Sequence, residues 1–545
     1  MGTEHRGTPG AGEPAPDRIA DTTLLPPAGR GYHPSPEDWR DEVMYSILID
    51  RFQAGPGRVI EGDPADGGSR HGGNLRGITG RLNYLSDLGV TAIQLSPVTW
   101  TAPGTYHGYA PVHLMSVDPR LGRMADLVEL IDRAHRRGIR VLLDLVVNHT
   151  GPVFQYADGH NRWKDAPAPV AGGVVHIRPR ELADPAHFSR RGIIADWKDP
   201  EQAAFGDFPP SHRHLATDNP ATARLLEHVA CWWLRETDAD GLRLDAIRHL
   251  YPPFLTALCA TVRQYAARLG KHNLLIVGEY SSTTDAPIAE SLRLGVDTGY
   301  NYPEYRRQSW ALHGQAPTRD LETSSGTAVA AFGPAHGRLI RFVDNHDVFR
   351  FLRYGEPASR LRPALAFLLF SPGIPMLYYG TEQGMRQPSQ RLDRECSADR
   401  AAPRNREDMF AEGQFTSASS AGDKFDPSSE MFRWTQRLIQ IRQRFPALRH
   451  GRQIVRWSDP RGPGLYALSR IDEGQEVLVV LNTAAEERRE FIPVGPVLGG
   501  RPLVDALGGG PPIPATTPAG DPGEVPVTVP AHGVRVLVPA AGADR

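Results

Sequence analysis

Three carboxylate residues stand at or just after the ends of apolar runs: Asp245 in GLRLDAIRH, Glu279 in LLIVGEY and Asp347 in RFVDNHD. Alternate residues of a strand share a face, so Arg243 and Asp245 should be neighbours. A guanidinium favours an ionised carboxylate, which a nucleophile at an anomeric carbon requires. Glu279 has no adjacent cation in the sequence, and burial would raise its pKa, as a general acid/base requires. These residues therefore predict cleavage of a glycosidic bond.

Eight strand-like runs alternate with amphipathic helical patterns, which is typical of repeated βα units. A closed parallel barrel collects the carboxyl ends of its strands at one face, where such barrels carry their catalytic residues. One predicted helix places Leu127, Ile131 and Ala134 on a single face, and another should begin at Asn219 and Pro220. The runs assigned as barrel strands are VMYSILI, TAIQLS, VLLDLVV, GLRLDA, LLIVGE, GVDTGY, LIRFVD and GIPMLYY.

The sequence predicts an α/β chain of four parts. A (β/α)8 TIM barrel, domain A, is expected over residues 38–150 and 217–450. The inserted domain B, over 151–216, is too long for an ordinary βα loop. Short β-rich runs divided by Gly and Pro predict a C-terminal antiparallel β-sandwich, domain C, over 451–545. Residues 1–37 are rich in Gly, Pro, Ala and charged groups and are expected to form a disordered tail.

Four blocks of the chain occur in an order that resembles the α-amylase family, glycoside hydrolase family 13. They are DLVVNH at 144–149, GLRLDAIRH at 241–249, VGEY at 277–280 and FVDNHD at 342–347. The segments DEVMYSILIDRF, LGVTAIQLSPV, TYHGYAPVHLMSVDPRLG and GIPMLYYGTEQG are also similar to barrel segments of that family. The resemblance covers about residues 38–450.

The resemblance implies a role for each matching residue. Asp245 would be the nucleophile, Glu279 the acid/base, and Asp347 a third carboxylate that stabilises the transition state. Arg243 would orient the nucleophile, and Tyr109 would stack beneath the sugar whose bond is broken. The other residues implied to bind substrate are His149 and His346, through hydroxyls of that sugar, and also His107, Arg406 and Arg248.

The resemblance also implies a structural calcium ion that holds domain B against the barrel. Asn148, Asp207 and the backbone carbonyl of His249 resemble the family's ligands, and oxygen donors suit a hard cation. Because domain B is irregular, Asp199 or Asp218 could take the place of Asp207.

Two segments depart from the family pattern. Many relatives have Asp-Pro-x-x-Arg after the eighth strand, but this chain reads APRNR, so Ala402 replaces the Asp while Arg406 is kept. Asp393 or Asp408 could substitute for the lost carboxylate, whose absence would alter a sugar subsite. The segment before the fourth strand reads HRHLATDNP instead of a PDLN form, which marks a second unusual region. Ala246, after the nucleophile, resembles members that act on α-1,4 bonds.

Composition restricts the class of partner. The chain has 545 residues, a formal net charge of −2 and no run of Lys or Arg, so a neutral glucan is expected and nucleic acid or an anionic membrane is not. Cys231 and Cys259 lie in apolar helical patterns and are expected to stay reduced, and these two with Cys396 do not indicate a disulfide framework. No apolar signal segment and no apolar run of roughly 20 residues is found, so we expect a cytoplasmic protein. No residue pattern indicates the oligomeric state.

Together these features predict a retaining α-glucan hydrolase that cleaves α-1,4 bonds of maltooligosaccharides or related sugars through a glucosyl intermediate on Asp245. A transglycosylase or isomerase of the same family, such as a glucanotransferase or a trehalose synthase, would use the same catalytic residues. Hydrolysis and transglycosylation differ in whether water or a sugar attacks the intermediate. A non-catalytic sugar-binding member is a third alternative, which the intact carboxylates disfavour.

Overall fold

The computed structural model describes residues 15–387, 403–416, 424–508, 511–514 and 522–540. Its strands are β1 (Met44–Ile47), β2 (Ala92–Leu95), β3 (Thr99–Thr101), β4 (Pro111–Val117), β5 (Arg140–Leu145), β6 (His149–Thr150), β7 (Gln155–Tyr156), β8 (Val170–Ala171), β9 (Arg213–His214), β10 (Gly241–Leu244), β11 (Leu275–Gly278), β12 (Thr298–Gly299), β13 (Ile340–Arg341), β14 (Leu352–Arg353), β15 (Ile374–Tyr378), β16 (Arg386–Gln387), β17 (Arg452–Ser458), β18 (Leu465–Asp472), β19 (Gln475–Asn482), β20 (Arg488–Val494), β21 (Leu503–Asp505), β22 (Gly523–Val529) and β23 (Val534–Pro539).

The helices vary widely in length. The α-helices are α1 (Ile49–Phe52), α2 (Leu75–Gly80), α3 (Leu82–Leu88), α4 (Met124–His135), α5 (Pro200–Phe205), α6 (Pro220–Thr237), α7 (Pro252–Arg268), α8 (Asp285–Arg293), α9 (Tyr302–Leu312), α10 (Arg319–Phe332), α11 (Leu361–Phe370), α12 (Glu430–Arg444) and α13 (Ala447–His450). Short 3-10 helices span Ile19–Asp21, Trp39–Asp41, Arg180–Ala183, Pro185–His187, Ile247–His249, Gly333–Arg338, Ala358–Arg360 and Thr381–Gln383. Within the described ranges, none of these helices combines the length and apolar character needed to cross a membrane.

Eight parallel strands form the barrel that the sequence predicts. Their order around the sheet is β12-β11-β10-β5-β2-β1-β15-β13. A parallel bridge between Tyr300 and Ile340 joins β12 to β13 and closes the barrel. Nearly every strand residue is buried, as expected where helices cover a parallel sheet. Each of the eight assigned runs coincides with one barrel strand to within a few residues, so the predicted (β/α)8 barrel is confirmed.

Two helices show why the sequence folds this way locally. The Asn219 side chain accepts a hydrogen bond from a backbone N–H in the first turn of α6, and Pro220 begins the helix, as predicted. On α4, Leu127, Ile131 and Ala134 form the buried face that their spacing predicts. Helices of this kind cover the outside of the barrel and leave the carboxyl ends of its strands open to the loops.

The segment predicted as domain B contains little regular structure. Its strands β7 and β8 form one short antiparallel pair, and its strand β9 forms another with β6, which immediately precedes the segment. The first pair aligns His149 with His214 and Thr150 with Arg213. Because β6 follows β5 closely, this pairing returns the end of the segment to the carboxyl face of the barrel.

Two antiparallel sheets after the barrel form the predicted β-sandwich. One has the order β17-β18-β19-β23-β21, and the other consists of β20 and β22. Leu478, Ile492 and Val527 belong to the apolar cluster of this unit. Arg470 donates a hydrogen bond of 2.5 Å to the carbonyl of Phe370, at the end of α11. The sandwich is therefore joined to the barrel through a buried polar contact as well as apolar packing.

The prediction of a disordered tail over residues 1–37 is wrong for the part of it that the structure describes. The hydroxyl of Tyr32 donates to the carbonyl of Arg235 at 3.0 Å, near the end of α6. The ring of His33 stacks on that of His135 with 4.1 Å between centroids. These partners lie far away in the chain, so the polar composition of the segment could not reveal them.

Candidate active site

Arg243 and Asp245 lie at the carboxyl end of β10, in contact as their spacing predicts. Nη1 of Arg243 is 2.5 Å from Oδ1 of Asp245 and 2.9 Å from both carboxylate oxygens of Asp144. Asp144 belongs to β5, whose parallel register with β10 aligns Asp144 with Arg243. The barrel register therefore places two carboxylates on one buried guanidinium.

Glu279 follows β11 and approaches the same guanidinium. Its Oε2 lies 3.8 Å from Nη2 of Arg243 and accepts a 2.9 Å hydrogen bond from the backbone N–H of Ala246. Ala246 has a left-handed backbone conformation, with φ of 50°, which is uncommon for a residue with a side chain. This turn follows Asp245 directly, so one local conformation directs both carboxyl groups toward the same space.

The surroundings give the three predicted catalytic carboxyls different proton affinities. Burial raises the pKa of Glu279 to about 7, although the nearby guanidinium opposes the rise. Burial also raises the pKa of Asp245, again against the guanidinium. Burial acts in the same direction on Asp347, but His346 and Arg406 outweigh it and hold the pKa of Asp347 well below its usual value. Glu279 can therefore carry a proton near neutral pH while Asp347 stays ionised.

Asp347 lies in the turn after β13 and is held by its neighbours. Its Oδ2 is 3.2 Å from Nε2 of His346, and its Oδ1 is 3.5 Å from Nη2 of Arg406. Arg406 also donates to the carbonyl of His346 and to the hydroxyl of Tyr106. Arg406, predicted to bind substrate, is placed to support Asp347, whose side chain remains 25% exposed toward the cleft.

Tyr109 lies between two histidine rings. Its ring centroid is 5.7 Å from that of His107 and 5.7 Å from that of His346, and both pairs are stacked. Its hydroxyl donates to Oδ2 of Asp144 at 2.9 Å and is 3.1 Å from Nε2 of His346. The guanidinium carbon of Arg243 is 5.5 Å from the Tyr109 centroid. Tyr109 is thus fixed beside the predicted nucleophile, the position expected of a platform beneath a sugar ring.

His149 reaches the same region from β6, but the protein uses both of its ring nitrogens. Nε2 lies 2.9 Å from the carbonyl oxygen of Tyr109, and Nδ1 lies 3.2 Å from Nδ2 of Asn148. Burial lowers the pKa of His149 well below its usual value, so the neutral ring has one donor and one acceptor. The predicted bond from His149 to a sugar hydroxyl therefore finds no free nitrogen in this arrangement.

A cavity of about 570 Å³ adjoins Glu279 and Asp347, a size typical of sites for small ligands. Arg248 lines this cavity and donates from Nη2 to the carbonyl of Trp197 at 2.8 Å. Because the cavity borders the predicted proton donor, it offers room on the side where a leaving group would lie. Other residues that line it are Tyr280, Tyr302 and Arg306.

The place predicted for calcium holds an arginine side chain. Oδ2 of Asp207 accepts hydrogen bonds from the hydroxyl of Tyr156 at 2.8 Å and from Nη1 of Arg213 at 3.0 Å. Its other oxygen accepts a 2.8 Å bond from the backbone N–H of His214. The charge of Asp207 is therefore balanced within the protein, and both of its oxygens are used.

The other residues predicted to bind calcium are also poorly suited to the ion. The carbonyl oxygen of His249 lies 3.2 Å from Nε2 of His214. Asn148 has a buried Oδ1 without a partner among the described residues. Of the alternatives, Asp199 caps α5 and Asp218 is exposed. Calcium takes about six to eight oxygen ligands, whereas one spare oxygen remains here, so the residues do not fit the predicted ion.

The loop after β15 is only partly described. Ala402 and Asp393 lie outside the described residues, whereas Asp408 is fully buried. Oδ1 of Asp408 is 2.6 Å from Nδ1 of His71, and its Oδ2 accepts from the backbone N–H of Phe415. Asp408 therefore does not substitute for the carboxylate that the family pattern places in the cleft.

Sequence reasoning misses two residues at this site. Asp144 shares the guanidinium of Arg243, and the available signal is an aspartate inside the third apolar strand. His212 lies beside His149, with 5.0 Å between ring centroids. The available signal for His212 is the unusual HRH run before the fourth strand.

A parallel (β/α)8 barrel with buried carboxyl groups gathered at the carboxyl ends of its strands defines a class of barrel enzymes. The family model described as alpha amylase, catalytic domain, matches residues 46–451. The chain belongs to the alpha-amylase family.

Individual proteins resemble the chain over most of its length. The beta/alpha-amylase of Paenibacillus polymyxa is 30% identical over 462 residues, which cover 82% of this chain and 34% of that protein. The alpha-amylase of Streptomyces lividans is 29% identical over 544 residues, with 88% and 57% covered. The chain thus spans about a third and a little over half of these two relatives. The crystal structure of the alpha-amylase from Geobacillus thermoleovorans complexed with acarbose gives a TM-score of 0.74 at 27% identity, covering 93% of this chain and 100% of that one.

Proposed function

We propose that this protein is a retaining α-glucan hydrolase that cleaves α-1,4 bonds of maltooligosaccharides or related sugars. The observation that carries the proposal is a pair of carboxyls beside one guanidinium, with Asp245 at 2.5 Å and Glu279 at 3.8 Å from Arg243. Burial raises the pKa of both carboxyls, but Asp245 is in direct contact with the cation, which favours its charged form, whereas the pKa of Glu279 rises to about 7. One group is suited to attack and the other to donate a proton.

In the first half of the proposed reaction, a carboxylate oxygen of Asp245 attacks the anomeric carbon. Glu279 transfers its proton to the glycosidic oxygen as the carbon–oxygen bond breaks. Arg243 holds Asp245 in one orientation, and the ionised Asp347 stabilises the positive charge that develops on the sugar ring. The products are a released sugar and a glycosyl ester on Asp245.

In the second half, the ionised Glu279 takes a proton from water. The oxygen of that water attacks the anomeric carbon, and the ester bond to Asp245 breaks. Because the anomeric carbon is attacked twice from opposite faces, its configuration is retained overall. After this step Glu279 again carries a proton and Asp245 is again a free carboxylate. The enzyme has therefore returned to its starting state.

The α-1,4 glucan substrate is supported by the relatives named amylases and by Ala246 after the nucleophile. A second candidate function is transglycosylation, in which a sugar hydroxyl replaces water. The cavity of about 570 Å³ beside Glu279 favours it, because tyrosine side chains and Arg248 offer contacts to an acceptor sugar. Both functions use the same first half-reaction.

We also propose the domain boundaries and the cellular location of the protein. The domain boundaries are those expected from the sequence, with domain A over 38–150 and 217–450, domain B over 151–216 and domain C over 451–545. Limited proteolysis with fragment mapping tests them. A cytoplasmic location is also proposed, and fractionation of the source cells tests it.

The function is tested by proton NMR of the purified protein with maltotetraose, recorded before the products mutarotate. The proposal expects new α-anomeric signals first, together with shorter maltooligosaccharides. Longer oligosaccharides in the same time course would identify transglycosylation. Early β-anomeric products would contradict retention, and no turnover would contradict the substrate.

A further inference from the structure

On the domain B side of the cleft, the predicted sugar contact of His149 competes with contacts that its ring makes inside the protein. Both ring nitrogens of His149 are engaged by Tyr109 and Asn148. A sugar hydroxyl on the domain B side would therefore have to find another donor or acceptor.

His212 lies on the same side of the cleft. Its ring centroid is 5.0 Å from that of His149, with an interplanar angle of 71°. Its Nδ1 is buried and makes no hydrogen bond of ordinary geometry with the described residues, although the backbone carbonyls of Phe208 and Pro209 lie close enough to the ring to act on its pKa. Burial lowers the pKa of His212, and the carboxylate of Asp245 opposes the fall, so the ring lies within electrostatic range of the nucleophile. His212 also interacts electrostatically with His107, because it contributes to the lowered pKa of the His107 ring.

The backbone on both sides of His212 is fixed. Its own N–H donates to the carbonyl of Phe208 at 3.0 Å, and the Phe208 ring packs on His149 at 4.8 Å. The next residue, Arg213, is buried against Asp207 and pairs with Thr150 in the β6–β9 ladder. His212 is thus presented to the cleft by a rigid segment, which is what precise binding of a substrate requires.

We propose that His212 is a further substrate-binding residue, whose imidazole forms a hydrogen bond with a hydroxyl of the sugar at the scissile bond. It takes the place expected for His149, and it explains the HRH departure as a specificity feature. A neutral imidazole has one donor nitrogen and one acceptor nitrogen, so it can serve a hydroxyl in either sense. The proposal rests on the proposed hydrolase function.

The test compares His212→Ala and His212→Gln with the wild type in maltotetraose hydrolysis. We expect kcat/KM to fall about tenfold in His212→Ala, as for loss of one hydrogen bond to a bound hydroxyl. His212→Gln restores a donor and an acceptor and should recover most of the loss. The melting temperature of each variant is measured alongside, so a loss of activity at unchanged melting temperature is assigned to substrate contact.

A second readout removes turnover from the comparison. In the Asp245→Asn background, calorimetric binding of maltotetraose should weaken about tenfold when His212→Ala is added. Equal binding and equal kcat/KM with and without the His212 side chain would overturn the proposal while leaving the hydrolase function in place. Absence of any maltotetraose turnover by the wild type would overturn both.

Discussion

Two buried arginines each hold an aspartate in this protein, and their surroundings give them different roles. Arg243 contacts Asp245, whose side chain keeps 11% of its surface exposed at the cleft. Arg213 contacts Asp207, whose side chain is fully buried and bonded to protein through both oxygens. The carboxylate of Asp245 is accessible to a substrate at the cleft, whereas that of Asp207 is closed off from solvent and already accepts three hydrogen bonds from the protein. The same two residue types therefore make a reactive centre in the barrel and a structural joint in domain B.

Access to the cleft, more than residue type, therefore distinguishes the reactive Asp245 from the structural Asp207. His149 and His212 also differ although they are of one residue type, because both nitrogens of the first ring are engaged and Nδ1 of the second makes no hydrogen bond of ordinary geometry with the described residues. Buried polar groups are normally satisfied, so an unsatisfied one beside a cleft is a candidate for a ligand contact.

The largest expected effect is at the barrel centre. Asp245→Asn should lower kcat on maltotetraose by on the order of 10⁴-fold or more, because an amide cannot form the glycosyl ester. The fold should persist, since Arg243 keeps both bonds to Asp144. Steady-state kinetics and a melting curve check this outcome, and near-wild-type turnover would remove Asp245 from its proposed role.

Loss of the contact between Arg213 and Asp207 in domain B should lower the stability of the protein. Arg213→Met leaves Asp207 buried and unpaired, which should cost about 3–5 kcal/mol of the free energy of unfolding. The matched control is Arg293→Met, whose ion pair with Glu290 is exposed and should matter by less than about 1 kcal/mol. Chemical denaturation measures both. Equal, small losses in the two variants would show that Arg213 does not hold the joint.

The pH dependence should report the proton on Glu279. The general acid must be protonated, and its pKa is about 7, so kcat/KM for maltotetraose should fall as the pH rises above that value. The expected slope is about tenfold per pH unit. An aryl maltoside with a good leaving group needs less protonation and should show a weaker decline. A maltotetraose rate that stays level to about pH 9 would conflict with Glu279 as the acid.

The smallest expected effect is that of chelation. Because Arg213 neutralises Asp207, excess chelator or added CaCl₂ should leave the melting temperature unchanged within about 1 °C, as no bound ion would contribute linkage stabilisation. Calorimetric scans under the three conditions check this. A clear drop on chelation that calcium reverses would restore the predicted metal site.

The sequence predicts the barrel and its central carboxyls well because both follow local periodicity. The eight assigned runs coincide with the eight strands to within a few residues, and the alternation of side chains in β10 places Arg243 against Asp245. Strand register, which is a regular property of parallel sheets, also explains why Asp144 could have been found.

Domain B and the N-terminal segment depend instead on contacts without periodicity. The bond of Arg213 to Asp207 and that of His149 to the carbonyl of Tyr109 depend on the course of irregular loops. The contact between Tyr32 and Arg235 joins residues about two hundred positions apart. The calcium site implied by the family resemblance is therefore not reproduced here, because Arg213 and His214 contact the groups expected to bind the ion.

The most direct test of the account is to find which carboxylate receives the sugar. In Glu279→Gln, α-maltosyl fluoride can still react, because fluoride leaves without protonation, while release is slowed by loss of the base. Mass spectrometry of the digested protein should then show a maltosyl adduct on the peptide that contains Asp245, and none in the Asp245→Asn, Glu279→Gln double variant. An adduct on Asp347 in the single variant, or consumption of the fluoride by the double variant as fast as by the single variant, would contradict Asp245 as the nucleophile.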